Sequence, residues 1–133
     1  MSVAYVDSSA LVKLVVPEAE SEAVEASLRG FDRSMSSQLA VVEVGRAALR
    51  VHGPSGLALA ARVLELFDIM PIDDAVVHRA RALAPPSLRS LDAIHLASAL
   101  LPPVAPTVVA FDERLIEAAR SHGLVTVSPG RDG

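Results

Sequence analysis

The opening segment of the chain ends a short apolar run in a carboxylate and two hydroxyls. Val3–Val6 is followed directly by Asp7, Ser8 and Ser9. A short run that is apolar on both faces is typical of a central parallel strand covered by helices on each side. Ligands of open α/β sheets bind outside the carboxyl ends of such strands, which is where Asp7 stands. A carboxylate there could serve a site, or it could only cap the next helix by accepting backbone N–H groups.

Three further acidic residues occupy comparable places. Glu43 lies inside an apolar helical segment, where an unpaired charge is costly to bury. The alternative interpretation is an ion pair with Arg46, or exposure of that side of the helix. Asp92 falls in the first turn of a predicted helix, where the helix dipole favours negative charge. Leu96 shares its face, which places Asp92 at the rim of a buried surface. Asp112 follows a second apolar strand and could be an N-cap alone.

Together, the four carboxylates are predicted to form one acidic site. Asp7 and Asp112 end parallel strands at the same edge of the sheet, and Glu43 and Asp92 lie in early turns of helices that begin there. Without a cation, two such charges about 5 Å apart would repel by roughly 3 kcal/mol at an effective dielectric of about 20. Mg²⁺ or Mn²⁺, which prefer oxygen ligands, would relieve this repulsion. The chemistry that such a site supports is phosphodiester hydrolysis, in which the ion activates water and stabilises the leaving oxygen.

The elements that position these residues follow from hydrophobic periodicity and from its Pro and Gly breaks. Strands are predicted over the opening run and over Arg33–Ser36, Ile69–Ile72, Thr107–Phe111 and Leu124–Val127. Helices are predicted over Ser9–Val16, Glu18–Leu28, Gln38–Val51, Gly56–Phe67, Asp74–Leu83, Ser90–Leu101 and Glu113–His122. Strands that alternate with helices imply parallel pairing through right-handed crossovers, and hence an α/β sandwich. The tail, Pro129–Gly133, is expected to fray.

Composition fits a single domain that spans residues 1–133. Half of the chain, 51%, is hydrophobic, which is ample for one core. The absence of cysteine excludes disulfides and thiolate metal sites. The formal net charge of −4 argues against a broad basic face for nucleic acid, although it leaves room for a local one. With neither a signal-peptide pattern nor a long apolar run, a cytoplasmic protein without a membrane span is expected.

Four motifs in this chain resemble those of PIN-domain ribonucleases and, among them, of the VapC-type toxins of bacterial toxin–antitoxin systems. They are Val6–Leu14 (VDSSALVKL), the helical Glu43, Leu88–Ala97 (LRSLDAIHLA) and Phe111–Leu115 (FDERL). The third motif is the most specific, and the resemblance covers nearly the whole chain. It implies a PIN-like three-layer α/β/α sandwich with a small central parallel sheet flanked by helices.

The same resemblance implies a Mg²⁺- or Mn²⁺-dependent endoribonuclease that acts as a toxin, is held inactive by a cognate antitoxin and works as a homodimer. It carries metal ligation over to Asp7, Glu43, Asp92 and Asp112, and it makes Ser9 a polar support. Family members often have Thr or Ser two residues before the last aspartate, where this chain has Ala110. This departure puts the role of Asp112 in question. Glu18 matches a recurrent family glutamate, with no role assigned to it.

RNA binding by a negatively charged protein requires cations concentrated near the acids. Arg89, just ahead of Asp92, and Arg46, one helical turn after Glu43, are the candidates. Two other functions remain open: a catalytically silent PIN fold that binds RNA or a protein, and a nuclease directed at DNA.

His95, three residues after Asp92, is interpreted as a structural histidine packed against the sheet and not as a ligand or base. A serine–histidine triad is not supported, because neither Ser8 nor Ser9 has an obvious histidine partner in the sequence.

Overall fold

The computed structural model describes residues 1–131, which contain one five-stranded sheet with all strands parallel, in the order β3-β2-β1-β4-β5. The strands are β1 (Val3–Val6), β2 (Arg33–Ser37), β3 (Asp68–Met70), β4 (Thr107–Val109) and β5 (Thr126–Val127). β1 takes the central position, and its residues Ala4, Tyr5 and Val6 are fully buried. A strand covered on both faces needs apolar residues at every position, which explains the unbroken opening run.

Helices cover both faces of the sheet, which confirms the predicted three-layer α/β/α sandwich. They are α1 (Ser8–Leu11), α2 (Ser21–Leu28), α3 (Gln38–His52), α4 (Pro54–Leu64), α5 (Asp74–Ala80), α6 (Ser90–Leu100) and α7 (Glu113–Ser121). Ala4 and Val6 pack into one core with α1 to α4, whereas Tyr5 packs into a second core with α6 and α7. Alternate residues of β1 therefore serve opposite layers, as the period of two of a strand requires.

The first helix is shorter than predicted. In place of Ser9–Val16, the structure has α1 followed by a 3-10 turn at Val12–Leu14. The residue before a proline is disfavoured in the α region, so the chain tightens and leaves the helix before Pro17. Helix α2 likewise begins at Ser21 and not at Glu18, because the Glu18 backbone N–H donates to the Ser21 hydroxyl at 2.8 Å in the loop before it.

Helix α3, which carries Glu43, begins at the end of β2 and turns back sharply into α4. The Ser37 hydroxyl accepts from the Leu39 N–H at 3.0 Å and caps the start of α3. Gly53 ends the helix with a φ of 68°, a conformation that favours glycine, and Pro54 starts α4. Helix α4 ends at Leu64 and not at Phe67 as predicted.

The end of the described chain is anchored, so the expectation of fraying is wrong for Arg131. Its guanidinium donates to the Phe111 carbonyl at 3.2 Å and lies 5.0 Å from the centroid of the Phe111 ring. Residues 132 and 133, also part of the predicted fraying tail, lie outside the described residues. Within residues 1–131, no helix combines the length and the apolar character that a membrane span needs.

Candidate metal-dependent active site

Asp7 stands directly after β1 and is 3% exposed. Both of its carboxylate oxygens accept from the Ser9 hydroxyl, at 2.7 and 2.9 Å, and one also accepts from the Ala10 N–H at 3.1 Å. The Ser9 oxygen in turn accepts from the Phe111 N–H at 2.9 Å, in the segment between β4 and α7. Asp7 therefore does cap α1, as the alternative interpretation expected, and Ser9 joins it to the neighbouring strand end.

Glu43 lies in the second turn of α3, with its side chain 31% exposed. Its Oε1 accepts from the Ser8 hydroxyl at 2.5 Å and is 2.9 Å from His95 Nε2. The predicted alternative, an ion pair between Glu43 and Arg46, does not occur; Arg46 is exposed. Glu43 instead contacts a buried histidine of the opposite helical layer.

Asp92 lies in the first turn of α6 and is 9% exposed, with Leu96 and Ala99 of the same helix almost fully buried, as predicted. Its Oδ2 is a buried oxygen that has no hydrogen-bond partner within residues 1–131. The Nε of Arg89 approaches this oxygen only to 3.8 Å, and the Arg89 side chain is 62% exposed. A buried carboxylate oxygen without a hydrogen bond is costly, so Asp92 is placed to accept a further ligand.

Asp112 is the N-cap of α7. Its Oδ1 accepts from the backbone N–H groups of Arg114 at 2.9 Å and Leu115 at 3.2 Å. Ala110, where relatives of the predicted family often have a hydroxyl, is fully buried, and its carbonyl accepts from the Ser128 hydroxyl at 2.6 Å. Asp112 is thus held in place by the helix N-terminus without a hydroxyl at position 110.

The pKa values of the acids respond to burial and to the charges of the neighbouring carboxylates. Burial raises the pKa of Asp7 to about 6, against the bonds from Ser9 and Ala10, and the charge of Asp112 adds to the increase. Burial, then the charges of Asp112 and Glu43, also raise the pKa of Asp92. Burial opposes the ionisation of Glu43 as well, but hydrogen bonds from His95 and Ser8 outweigh it and hold the pKa of Glu43 below its ordinary range. The structure therefore brings the four predicted carboxylates to one edge of the sheet.

The donor set fits a hard divalent cation. Within residues 1–131, no three Asp, Glu or His side chains already converge as a finished metal-binding group. Three of the acids nevertheless keep an oxygen without a hydrogen bond in this part of the chain: Asp92 Oδ2, Glu43 Oε2 and Asp112 Oδ2. Free carboxylate oxygens among mutually repelling charges are what Mg²⁺ or Mn²⁺ would take up.

Ser8 has a histidine partner in the folded chain, although the sequence offers no obvious one. The Ser8 hydroxyl lies 3.2 Å from His95 Nε2, while His95 Nδ1 lies 2.7 Å from the hydroxyl of Tyr5. The partners are 87 and 90 residues apart in sequence, so no local spacing could have revealed the contacts. His95 is buried against the sheet, as predicted, but it also reaches the site. This is not a triad, because Glu43 and not His95 accepts the Ser8 proton.

Two further residues near the site carry no clear signal in the sequence. An open cleft of about 580 Å³ has Ser8, Ser9 and Glu43 in its wall together with Arg50, two turns after Glu43. Lys13 is buried, 4.6 Å from the centroid of the Phe111 ring, and pairs with Glu18 at 3.3 Å. Glu20 lies 3.6 Å from the same ammonium, so the two glutamates together neutralise a buried lysine next to the strand end that leads to Asp112. The match of Glu18 to a recurrent family glutamate was the only indication of this role in the sequence.

A parallel α/β/α sandwich with acids at the ends of its strands has the architecture expected of a metal-dependent nuclease. Comparison with known sequences identifies the family. The PIN domain model matches residues 4–121. Ribonuclease VapC46 of Mycobacterium tuberculosis (strain ATCC 25618 / H37Rv) is 40% identical over 130 residues, which are 97% of this chain and 99% of that protein. The chain belongs to the PIN-domain family, and within it to the group of VapC ribonucleases.

Two solved structures share the fold. Mycobacterium tuberculosis VapC20, described as a sarcin–ricin loop cleaving toxin, gives a TM-score of 0.76 at 19% identity and covers 95% of this chain and 99% of that one. A toxin–antitoxin complex from Klebsiella pneumoniae gives 0.74 at 22% identity, with 95% and 97% covered. At these identities the likeness concerns the fold alone, and it confirms the predicted PIN-like architecture.

Proposed function

We propose that this protein is a Mg²⁺- or Mn²⁺-dependent endoribonuclease and the toxin of a toxin–antitoxin pair. The observation that carries the proposal is the buried oxygen of Asp92, which has no hydrogen bond within residues 1–131, beside three other carboxylates at the carboxyl ends of β1 and β4. A buried carboxylate oxygen that no donor satisfies is retained where it binds something. The relatives at about 40% identity bear the name ribonuclease, which supports RNA as the substrate.

In this proposal, Asp7, Glu43, Asp92 and Asp112 hold the ion. When bound, the ion supplies a Lewis acid that activates water and stabilises the leaving oxygen. The chain's own side chains prepare the site: Ser9 orients both oxygens of Asp7, and Ser8 fixes one oxygen of Glu43. With a pKa of about 6, Asp7 is ionised at neutral pH.

The RNA backbone needs cations near the acids, and the exposed Arg89 and Arg46 are the proposed contacts. The Nε of Arg89 lies 3.8 Å from Asp92 Oδ2, which is too long for a hydrogen bond. The guanidinium therefore keeps its donors for a phosphate. Arg50 joins them, because it lies in the wall of the cleft that contains Glu43. A few local arginines suit a protein of net charge −4, since binding then depends on position and not on a broad field.

Protein partners belong to the same proposal: a cognate antitoxin and a second copy of the chain, in the cytoplasm. The fold neighbour from Klebsiella pneumoniae is described as a toxin–antitoxin complex, which supports an antitoxin. Large apolar side chains are exposed on several helices and loops, and partners would cover such area. They include Val42, Val51, Leu57, Leu66, Val77 and Val104.

Cleavage by the purified protein, freed of any partner, tests the proposal. We expect it to cut an RNA pool in the presence of Mn²⁺ and to stop when a chelator is added. Asp7→Asn and Asp92→Asn should each abolish cleavage and relieve growth arrest on expression, with the fold retained by circular dichroism. Asp74→Asn, a change to an exposed acid of α5, is the matched control and should leave cleavage intact.

Three outcomes would contradict the proposal or replace part of it. Full activity in Asp7→Asn or Asp92→Asn would refute the site. RNA binding without cleavage under any divalent ion would favour a silent binding module. Cleavage of single-stranded DNA in preference to RNA would favour the DNA-directed nuclease.

A further inference from the structure

A buried chain of polar side chains joins the two helical layers above the end of β1. It begins at Tyr5, whose hydroxyl lies 2.7 Å from His95 Nδ1, and continues from His95 Nε2 to Glu43 Oε1 at 2.9 Å. Tyr5 is fully buried and His95 is 4% exposed, and their rings meet edge to face. Glu43 comes from α3 and His95 from α6, so this is a contact across the sheet and not within one helix.

The contact with Glu43 requires hydrogen on His95 Nε2. A carboxylate oxygen 2.9 Å from Nε2 can only accept, so Nε2 must donate. Nδ1 can then accept the hydrogen of the Tyr5 hydroxyl, which a phenol readily donates. The alternative, with hydrogen on Nδ1 alone, would set the lone pair of Nε2 against the lone pairs of Glu43. Tyr5 fits either form that remains, since its hydroxyl can donate to a bare Nδ1 or accept from a protonated one, and in both forms Nε2 donates towards the site.

The donated bond affects one oxygen of Glu43 and leaves the other free. Oε1 receives both the Ser8 hydroxyl and His95 Nε2, whereas Oε2 makes no hydrogen bond within residues 1–131. Two donors on the same oxygen fix the rotation of the carboxylate as well as its place. A glutamate on an exposed helical turn would otherwise sample several rotamers.

We propose that His95 is a positioning residue of the active site, which Tyr5 orients and which holds Glu43 so that Oε2 faces the cation and substrate. This inference rests on the proposed function and deepens it. A donor that fixes a ligating carboxylate typically changes metal affinity or activity 10- to 100-fold when removed. His95 acts through Glu43 and need not touch the RNA.

The first test measures the imidazole directly and needs no activity. In ¹⁵N-labelled metal-free protein, long-range ¹H–¹⁵N spectra report which nitrogens of the four histidines carry hydrogen. We expect hydrogen on His95 Nε2 in the wild type. In Tyr5→Phe we expect a mixture of forms with hydrogen on Nδ1 and on Nε2. A wild-type His95 with a bare Nε2 would overturn the proposal.

The second test compares two substitutions at one position. His95→Gln retains an N–H donor at nearly the place of Nε2, whereas His95→Leu keeps the bulk and loses the donor. We expect Mn²⁺ affinity, followed by calorimetric titration, and kcat both to fall at least tenfold in His95→Leu and less than about threefold in His95→Gln. His78→Gln, on the exposed face of α5, is the matched control and should change neither.

A merely structural histidine would behave differently. Both His95 variants would then melt lower, yet below their melting temperatures they would keep wild-type Mn²⁺ affinity and kcat, and that result would refute the positioning role. Should His95→Leu fail to fold, Tyr5→Phe carries the test: we expect it to lower Mn²⁺ affinity while the imidazole stays in place, and an unchanged affinity would refute the positioning role. If the wild type binds Mn²⁺ but cuts no RNA, the proposed function fails, while the spectra and the metal affinities still decide the role of His95.

Discussion

Neutralising Asp7 should stabilise the metal-free protein, although Asp7 makes more hydrogen bonds than any other acid of the site. Its pKa of about 6, in place of an ordinary 3.8, has burial as its main cause. Each unit of pKa corresponds to about 1.4 kcal/mol, so the ionised form disfavours folding by roughly 3 kcal/mol above pH 6. Asn at this position keeps an acceptor for Ala10 but loses charge-assisted bonds, a cost of about 1 kcal/mol. A net gain of about 1 to 2 kcal/mol remains for Asp7→Asn.

The gain must depend on pH in a defined direction. The pKa of Asp7 is higher in the folded than in the unfolded protein, so folding takes up a proton between about pH 4 and 6. Below about pH 4 Asp7 is protonated in both states, and its contribution to stability is fully present. That contribution is lost as the pH rises through 6. Asp7→Asn lacks the loss, so its advantage over wild type should grow between about pH 4 and 6 and then remain constant.

Thermal melts with a chelator at several pH values measure the effect. At about 4 °C per kcal/mol for a chain of this size, Asp7→Asn should melt about 4 to 8 °C above wild type at pH 8. Asp74→Asn, the exposed control, should melt slightly lower than wild type, because it removes a charge that favours the start of α5. An Asp7→Asn protein that melts below wild type at pH 8, or a difference that stays the same from pH 4 to 8, would refute the reasoning.

Three further predictions concern the rest of the site. If Mg²⁺ binds with a dissociation constant of about 1 mM, about 10 mM Mg²⁺ should add roughly 1.4 kcal/mol to the stability of the wild type and much less to that of Asp92→Asn. Equal responses of the two proteins in parallel melts would argue against Asp92 as a ligand. Arg89→Ala should weaken RNA binding across sequences and lower the salt dependence of binding by about one counterion; an unchanged slope would make Arg89 structural. Ser9→Ala should lower the free energy of unfolding, measured with denaturant, by about 1 to 3 kcal/mol, because the Phe111 N–H loses its acceptor and Asp7 loses a donor. An unchanged free energy would mean that water replaces the hydroxyl.

The sequence by itself determined the layers of the fold and the edge at which the acids gather. Strands buried on both faces must be apolar throughout, so Val3–Val6 and the segment before Asp112 could be recognised directly. Parallel strands end at the same edge of a sheet, so the positions of Asp7 and Asp112 after two such strands were enough to predict that they meet. The strand predicted over Arg33–Ser36 does not show its burial in the sequence, because its serines are polar. Ser36 is fully buried, and its hydroxyl donates to the Val6 carbonyl.

Tertiary structure alone decided how each acid is held. Ser9 meets the Phe111 N–H across 102 residues, and His95 meets Glu43 across 52. A hydrogen bond depends on distances of a few tenths of an ångström between atoms of separate elements, and periodicity within one element carries no such information. The spacing of Asp92 and His95 placed both on α6, but only the packing of α6 and α3 over the end of β1 turned a buried histidine towards Glu43.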